Sequence, residues 1–517
     1  METRLFQAPM FLAVALAIFG HTTAQAQLGG VPLWANSDLG SGAAIAVDRS
    51  GNVFVTGNSY DGGGNSYDYT TVKYSGAGVP LWGGGIEYNG PGSGDDFASA
   101  VAVDGSNVFV TGASSGATNG YPNNNYDYAT IKYSGAGTPL WTTRYNGPGN
   151  GDDRATALAV DGGGNVFVAG FSTGSGGDFD YAAIKYSSAG TALWTNRYDG
   201  PGHNNDAASA VAVDGNGDMF VTGYSTGTGG GQDYATIKYS GAGVPLWTNR
   251  YSSNDRANAV ALDGSGNVFV TGYAATIKYS GAGVPLWTNR YGDPGSALGQ
   301  ANAMAVDAGG NLFVTGESAL DAGSYYHYAT TKYSGAGMPL WTNRYQGPAG
   351  DDYPEAIAVD GSGNVFVTGY SYSGYSFETA GYATVGYSEA GVPLWTNRYD
   401  WNQFYNQDNI ARAVAVDRSG NVFVTGDFWD VSNGYSVSLT IKYSSAIPPP
   451  LLTLIPDGAN VILMWTTNAF GFTLQSTSDL NPPAIWDTNA PAPIVIGGQN
   501  VSTNLITGTQ MFFRLTQ

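Results

Sequence analysis

The sequence predicts an all-β fold, a β-propeller of eight four-stranded blades followed by a small β-sandwich, and three observations carry that prediction. A string of the form AVAVDGSGNVFVTG…DYATIKYSGAGVPLWTNRY returns about every fifty residues. Three markers within it each recur eight times: an aspartate (Asp48, Asp104, Asp161, Asp214, Asp263, Asp307, Asp360, Asp417), a tryptophan (Trp34, Trp82, Trp141, Trp194, Trp247, Trp287, Trp341, Trp395) and a tyrosine (Tyr74, Tyr133, Tyr186, Tyr239, Tyr279, Tyr333, Tyr387, Tyr443). No stretch of the repeat region has helical periodicity, and 77 glycines punctuate the chain.

Residues 1–26 come first, with an early Arg4, an apolar run from Phe11 to Phe19, and small residues ending in Ala24-Gln25-Ala26. The run is too short to span a bilayer as a helix, and the A-x-A ending reads as a secretory signal peptide cut after Ala26. The product is expected to be secreted or at the cell surface, as a monomer with no membrane span. Cysteine is absent, which excludes disulfides, thiolate metal sites and thiol catalysis.

Residues 27–446 form the predicted propeller. It opens with a lone outer strand, VPLW at Val31 to Trp34. Each unit then supplies four runs, AxAVAVD, NVFVTGY, DYATIKYS and PLWTNRY, rich in β-branched and aromatic residues and bounded by Gly, Asn, Asp or Pro. Four short strands per repeat of this length suit a propeller blade, whereas leucine-rich or ankyrin units are shorter and carry helix. The last unit stops after its third strand at Ser444, so the N-terminal run is expected to supply its outer strand, closing the ring and removing sheet edges. IPPP at 447–450 reads as a stiff linker. Beyond it, residues 451–517 hold ANVILMW, GFTLQSTS, APIVIGG and QMFFRLT, alternating as the strands of a small sandwich.

The segment AVDGSGNVFVTGYS…YATIKYSGAGVPLW resembles the SBBP (seven-bladed β-propeller) repeat family of secreted bacterial proteins, and its AVDxxGNVFV core is similar to NHL repeats. The resemblance implies that AVAVD is innermost and PLW outermost. This chain departs from the family's name, having eight units rather than seven. FTLQSTSDL…W and FFRL resemble fibronectin-III-like C-terminal domains of large secreted bacterial proteins.

With that strand order, the DGSGN and SGAG turns share one face, short and nearly identical in every unit. The opposite face collects the connections that vary, from TGASSGATNGYPNNNYDY at Thr111 to Tyr128 down to TGYAAT at Thr271 to Thr276. Loops that vary on a rigid scaffold are where binding resides, and the clipped unit five is expected to leave a notch there.

The same face receives five aspartates eight residues before the AVD aspartate: Asp96, Asp153, Asp206, Asp255 and Asp352, replaced by Asn409, Gly299 and Gly40 in the remaining units. Hard oxygen ligands gathered at a channel mouth suit Ca²⁺, and these five are the candidate metal ligands; the competing role is capping of the interblade turn by each aspartate. No cofactor is required by the sequence, and Ca²⁺ is the one candidate ion. Asp68, Asp127, Asp180 and Asp233, before the third strand, pose the same choice. All seven lysines share one position of the third strand, with Gly386 in the one remaining unit, and six arginines share one position of the fourth. Charges repeated with the blade are expected to pair between strands or with the AVD aspartate of their unit.

A net charge of −20, with only six Glu among 40 acidic residues, disfavours nucleic acid and anionic lipid. Only His203 and His327 remain beyond the leader, leaving little for a His-based metal centre or a Ser-His-Asp triad. The SGAGxPLW turn lacks the aspartate of a sialidase Asp box, and no Gly-rich loop opens a helix. The sequence thus points to a non-catalytic scaffold that binds a protein or glycan through its variable face. The alternatives are a propeller hydrolase or lyase with carboxylates at the channel mouth, and a purely structural surface protein.

Overall fold

The computed structural model describes residues 32–60, 66–91, 93–116, 125–291, 299–319, 325–348, 350–372, 380–399, 409–430 and 435–444, and in the C-terminal part 452–457, 460–466, 473–479, 485–488, 493–496, 499–505 and 511–516. The expected signal peptide (1–26) and Pro-rich linker (447–450) lie outside the described residues. The chain divides into two compact units, Gly30–Ser445 and one that takes in Ala446–Gln517. Regular structure among the described residues is β throughout, and no helix is long and apolar enough to cross a membrane.

The larger unit consists of eight four-stranded antiparallel sheets, the blades of a β-propeller. Blade one runs from Ser41 to Tyr88, two from Asp96 to Tyr145, three from Asp153 to Tyr198, four from Asp206 to Tyr251, five from Ala257 to Arg290, six from Gln300 to Tyr345 and seven from Asp352 to Tyr399. Blade eight joins Ile410–Val416, Val422–Asp430 and Tyr435–Tyr443 to the N-terminal strand Pro32–Leu39, which pairs antiparallel with Tyr435–Tyr443. Within a blade the strands follow chain order, and the first strands of successive blades pack on one another. That of blade one packs against blade eight as well as blade two.

Two turns per blade explain much of the sequence's repetition. In blade three, Asp161 Oδ1 accepts the amides of Gly163 and Asn165 (2.9 Å each), and Asn165 Nδ2 donates to Oδ2 (2.7 Å), the short-range Asx bonding for which Asp is selected in turns. In the second turn, Gly190 has φ +84°, and a Cβ there would lie 2.8 Å from the Trp141 ring of the preceding blade. Conformation and close approach both demand glycine.

The core lies between blades. Phe167, Ala169, Tyr181 and Ala183 of blade three are buried against Ala208, Met219, Val221 and Ile237 of blade four, and equivalent clusters recur at the other joints. The tyrosine of each DY motif crosses the joint, so that Tyr181 Oη donates to Ala235 O at 3.1 Å and Tyr128 Oη to Ala182 O at 3.2 Å. A buried phenol is thereby satisfied while its ring fills the core.

The lysines answer to the neighbouring blade more than to their own aspartate. Lys185 Nζ donates to Gly241 O of blade four (3.0 Å), and Trp194 Nε1 reaches the same oxygen (3.2 Å). The ammonium also sits 4.8 Å from the centre of the Phe167 ring, a favourable cation–π placement. Lys132, Lys278 and Lys442 bond the next blade's turn in the same way, Lys442 and Trp34 both donating to Gly76 O of blade one. Pairing with the unit's own AVD aspartate accompanies this in blade five, where Lys278 lies 3.1 Å from Asp263. The expected same-unit pairing is thus secondary to a bond across the joint.

Blade seven is the exception. Its neighbour, blade eight, has no second turn, because its outer strand comes from the N-terminus. Gly386 stands in place of the lysine, Trp395 packs on Phe366 with rings 5.7 Å apart, and the buried Trp395 indole N–H has no acceptor among the described residues.

The C-terminal unit comprises a four-stranded and a three-stranded sheet. Val461, Leu463 and Trp465 of the first pack with Leu474 and Phe513 of the second.

Candidate functional site

Four of the five candidate aspartates begin the first strand of their blades, buried from solvent, and each is engaged with its own surroundings. Asp153 Oδ2 accepts the amide of Gly147, six residues upstream in the interblade turn, at 2.6 Å, and Oδ1 accepts that of Thr173 at 3.0 Å. Asp206 holds Gly200 and Thr226, Asp96 holds Gly90 and Ser115, and Asp352 accepts from Gly347 at 2.8 Å. The amides are not those one or two residues onward that turn capping in its simplest form would use. Burial pushes the carboxyls of Asp96, Asp153 and Asp206 above the usual aspartate range, against the opposing pull of these hydrogen bonds. Asp255 differs: it lies in the connection before Ala257, partly exposed, and its carboxyl is also raised by desolvation.

The second set of aspartates meets the arginines. Arg197 Nη2 lies 2.6 Å from Asp180 Oδ2, donates to Ser172 O (2.9 Å), and through Nη1 reaches Tyr145 Oη of the preceding blade (3.2 Å). Arg144 with Asp127 and Arg250 with Asp233 repeat this. In blade six the aspartate is replaced by His327, whose Nδ1 lies 2.9 Å from Asp352 Oδ2 of blade seven in a buried pair. Asp178, Asp180 and Asp199 come close enough together to share a cation, but Asp180 is already committed to Arg197.

Repetition stops at one place. In blade three, Gly170 of the VTG-type motif is fixed by packing, since a Cβ there would lie 2.0 Å from Arg154 O. Directly beyond it stands Phe171, opposite Arg154 of the first strand. The equivalent pairs are Phe97 with Ala113, Ala207 with Tyr224, Gln300 with Glu317, Tyr353 with Tyr370, and Ile410 with Asp427. A β-bulge in the first strand adds one more variable residue per blade: Ala43, Ser99, Thr156, Ser209, Asn258, Asn302, Glu355 or Arg412. Bulges re-aim side chains beside functional sites. Several of these residues tie neighbouring blades together, as when Asn258 donates to Ala301 O (2.8 Å) and Asn302 to Pro354 O (2.7 Å).

The departures are aromatic on one side and charged on the other. Arg154 stacks over Tyr126 at 4.3 Å and Arg256 over Tyr273 at 4.7 Å. Blades six to eight bring together Glu317, Glu355, Arg412 and Asp427. Burial raises the Glu317 carboxyl, which Gln300 and Asn302 oppose by hydrogen bonding, and burial raises that of Glu355, which Arg412 opposes and Glu317 reinforces. None of these four is among the sequence-predicted site residues. For Glu317 and Asp427 the signal was present in the residue after each VTG-type glycine, which reads Asn58, Ala113, Phe171, Tyr224, Tyr273, Glu317, Tyr370 and Asp427.

Blade five forms a low point in this face. Its second and third strands, Val268–Gly272 and Ala275–Tyr279, have five residues each against eight in blade three, and only Tyr273 and Ala274 join them. Three residues fewer at about 3.3 Å each lower the rim by about 10 Å.

Compared with known families, the chain matches the SBBP beta-propeller repeat at residues 26–65 and 340–378. No curated protein matches it. Among solved structures, it is similar to polysaccharide lyase Uly1 at 14% identity and a TM-score of 0.42, over 78% of this chain and 90% of that one. The Pan2 WD40 domain of Neurospora crassa is similar at 9% identity and a TM-score of 0.40, over 66% and 88% of the respective chains. A protein of unknown function from Bacteroides caccae shares 10% identity over 44% of this chain and 78% of its own, with a TM-score of 0.27.

Proposed function

We propose that this is a secreted or cell-surface binding protein: a closed eight-bladed propeller, with a small fibronectin-III-like sandwich after it, that engages a protein or glycan through its variable face without catalysis. The observation that carries this is that sequence variation gathers at one end of the blades, in the connections and in the residues that open the first strand and follow the VTG-type glycine, on a scaffold whose other contacts repeat from blade to blade. Such a pattern is what a rigid frame with an adaptable binding end requires. Closure is supported by the joint between blades eight and one, where Trp34 and Lys442 make to Gly76 O the bonds that Trp194 and Lys185 make to Gly241 O.

In this proposal Asp96, Asp153, Asp206 and Asp352 hold the interblade turns, and any calcium contribution is secondary to that. A second reading, a hydrolase or lyase, is favoured by Glu317 and Glu355, two carboxylates in adjacent blades with raised proton affinity. A glycan and secreted-protein binding array on the chain lacking residues 1–26, with and without Ca²⁺, tests the proposal. Specific retention of one ligand class, unchanged on incubation, supports binding without catalysis. Conversion of a bound glycan, abolished by Glu317→Gln or Glu355→Gln, would replace it with the second reading.

A further inference from the structure

Blade seven meets blade eight without two bonds that the other seven blades make to their neighbours, the lysine ammonium and the tryptophan N–H each donating to a turn carbonyl. Gly386 stands where that lysine would be, and the buried Trp395 N–H has no acceptor among the described residues. What remains is the Tyr382 hydroxyl, donating to Leu439 O at 3.3 Å, and the Trp395 ring, whose centroid lies 5.7 Å from that of Tyr443.

At the inner end of the blades a second kind of bond crosses the joints. The side chain at the bulge of one first strand donates to the carbonyl just before the bulge of the next: Thr156 Oγ1 to Ala208 O at 2.8 Å, Asn258 Nδ2 to Ala301 O at 2.8 Å, and Asn302 Nδ2 to Pro354 O at 2.7 Å. The bulge keeps its register, falling between Ala208 and Ala210, Ala301 and Ala303, Pro354 and Ala356, and Ala411 and Ala413. In blade seven, therefore, Glu355 stands in the donor's place and Ala411 O of blade eight in the acceptor's. An ionised carboxylate only accepts, whereas a carboxylic acid has one O–H to give.

The surroundings do little to hold the ionised form. No described residue donates a hydrogen bond to Glu355. Arg412, the neighbouring cation on blade eight, gives its Nε to Asp427 Oδ2. His327 of blade six is paired with Asp352, and Glu317 of the same blade adds a like charge. Burial raises the half-buried Glu355 carboxyl above the usual glutamate range, Arg412 opposes the rise and Glu317 adds to it.

We propose that Glu355 is a proton-dependent clasp: as a carboxylic acid it donates its O–H to Ala411 O, and when that proton passes to solvent the joint of blades seven and eight, already short of its lysine and tryptophan bonds, loosens. Two oxygens that both only accept then face each other across the joint. The folded value lies above that of the unfolded chain, so the clasp's contribution is complete below about pH 4.3 and is lost as pH rises through the folded value.

The test is hydrogen exchange of the full chain, read by mass spectrometry from about pH 5 to about pH 8 and corrected for its intrinsic pH dependence. We expect exchange in Ile410–Val416 to rise about tenfold over that range, as one unit of difference in proton affinity implies, while Val268–Gly272 of blade five stays level. Glu355→Gln supplies a permanent N–H donor, as Asn258 and Asn302 do, and should keep the low-pH protection throughout. Glu355→Ala should exchange at every pH about as fast as the wild type does at the top of the range. A rise that persists in Glu355→Gln overturns the clasp and passes the pH dependence to other groups. A Gln variant as unprotected as the Ala variant overturns the donor role. If neither variant folds, the wild type decides alone: exchange in Ile410–Val416 that does not change with pH, or that changes equally in Val268–Gly272, overturns the proposal.

Discussion

Lys185 and Gly386 occupy the same place in their blades, and the contrast between them shows what the lysine does. Lysine donates to the turn carbonyl of the next blade; beside blade eight, whose outer strand comes from the N-terminus, glycine stands in its place. Lys185→Met should therefore destabilise by about 2 kcal/mol, the worth of a charged hydrogen bond plus a cation–π contact. Gly386→Lys should bring no gain and some loss, because a Cβ there already lies 3.1 Å from Trp395. Urea unfolding of both variants checks the pair. The aspartates give a second prediction at this scale. Because burial raises the folded values of Asp153 and Asp206, the folded state holds their protons longer than the unfolded chain does. Their contribution to stability therefore falls as pH rises from about 4, the unfolded value, through the folded values, and is level above. Asp206→Asn should remove part of that slope and cost about 1–3 kcal/mol at neutral pH, since an amide has one acceptor oxygen for two N–H donors. Denaturation across roughly pH 3 to 8 measures both effects. Repeating it with Ca²⁺ and with chelator assigns these residues to turn capping if the midpoint moves with neither. The positions of lysine, tryptophan and arginine were legible because they repeat; their partners were not. The lysine's acceptor is a backbone carbonyl one blade away, which leaves no trace in side-chain chemistry. Glu317 and Asp427 were not legible for the opposite reason: they stand in a column where the repeat fails, so no recurrence marks them.

At the level of elements, the strand Pro32–Leu39 is the one whose partner lies farthest along the chain, and its register runs from Pro32 with Tyr443 to Leu39 with Val437. Trp34 adds ring contacts to Tyr74 and Phe423 on either side of the joint. Deleting Gln27 to Leu39 should therefore lower the unfolding temperature markedly, because it strips an outer strand, leaves the outer edge of Tyr435–Tyr443 unpaired and exposes that joint. Trp34→Ala alone should cost about 3 kcal/mol. Thermal scans on both variants check this, and an unchanged melt in the deletion would show that blade eight stands without the strand. The four strands of each blade were legible from composition and turn residues. The inner-strand bulge was not, since one extra residue in an Ala-rich strand has no compositional mark, yet it is the bulge that re-aims Glu355 and Arg412. The clipped hairpin of blade five was legible as a deletion, and its depth follows from strand geometry.

For the molecule as a whole, the repeat count read from the sequence agrees with eight four-stranded sheets. The binding end was legible only as a face, because which residues meet across blades depends on packing that no single repeat encodes. One feature bears on how such a chain can be rearranged. In blade eight Pro32 pairs with Tyr443, the same Tyr-with-Pro pair that the Ser-Gly-Ala-Gly turn closes between Tyr239 and Pro245 or Tyr333 and Pro339. The beginning and end of the propeller unit thus occupy the place of a missing turn. Circular permutation follows directly: linking Tyr443 to Pro32 through Ser-Gly-Ala-Gly-Val and opening the chain between Tyr239 and Pro245 should give a molecule with the same strand order in every blade. Its melting midpoint should lie within a few degrees of the parent's, since one turn is exchanged for another of the same sequence. The new turn would also place a carbonyl beside Trp395, and Gly386→Lys, harmful in the parent, should become less so in the permuted chain.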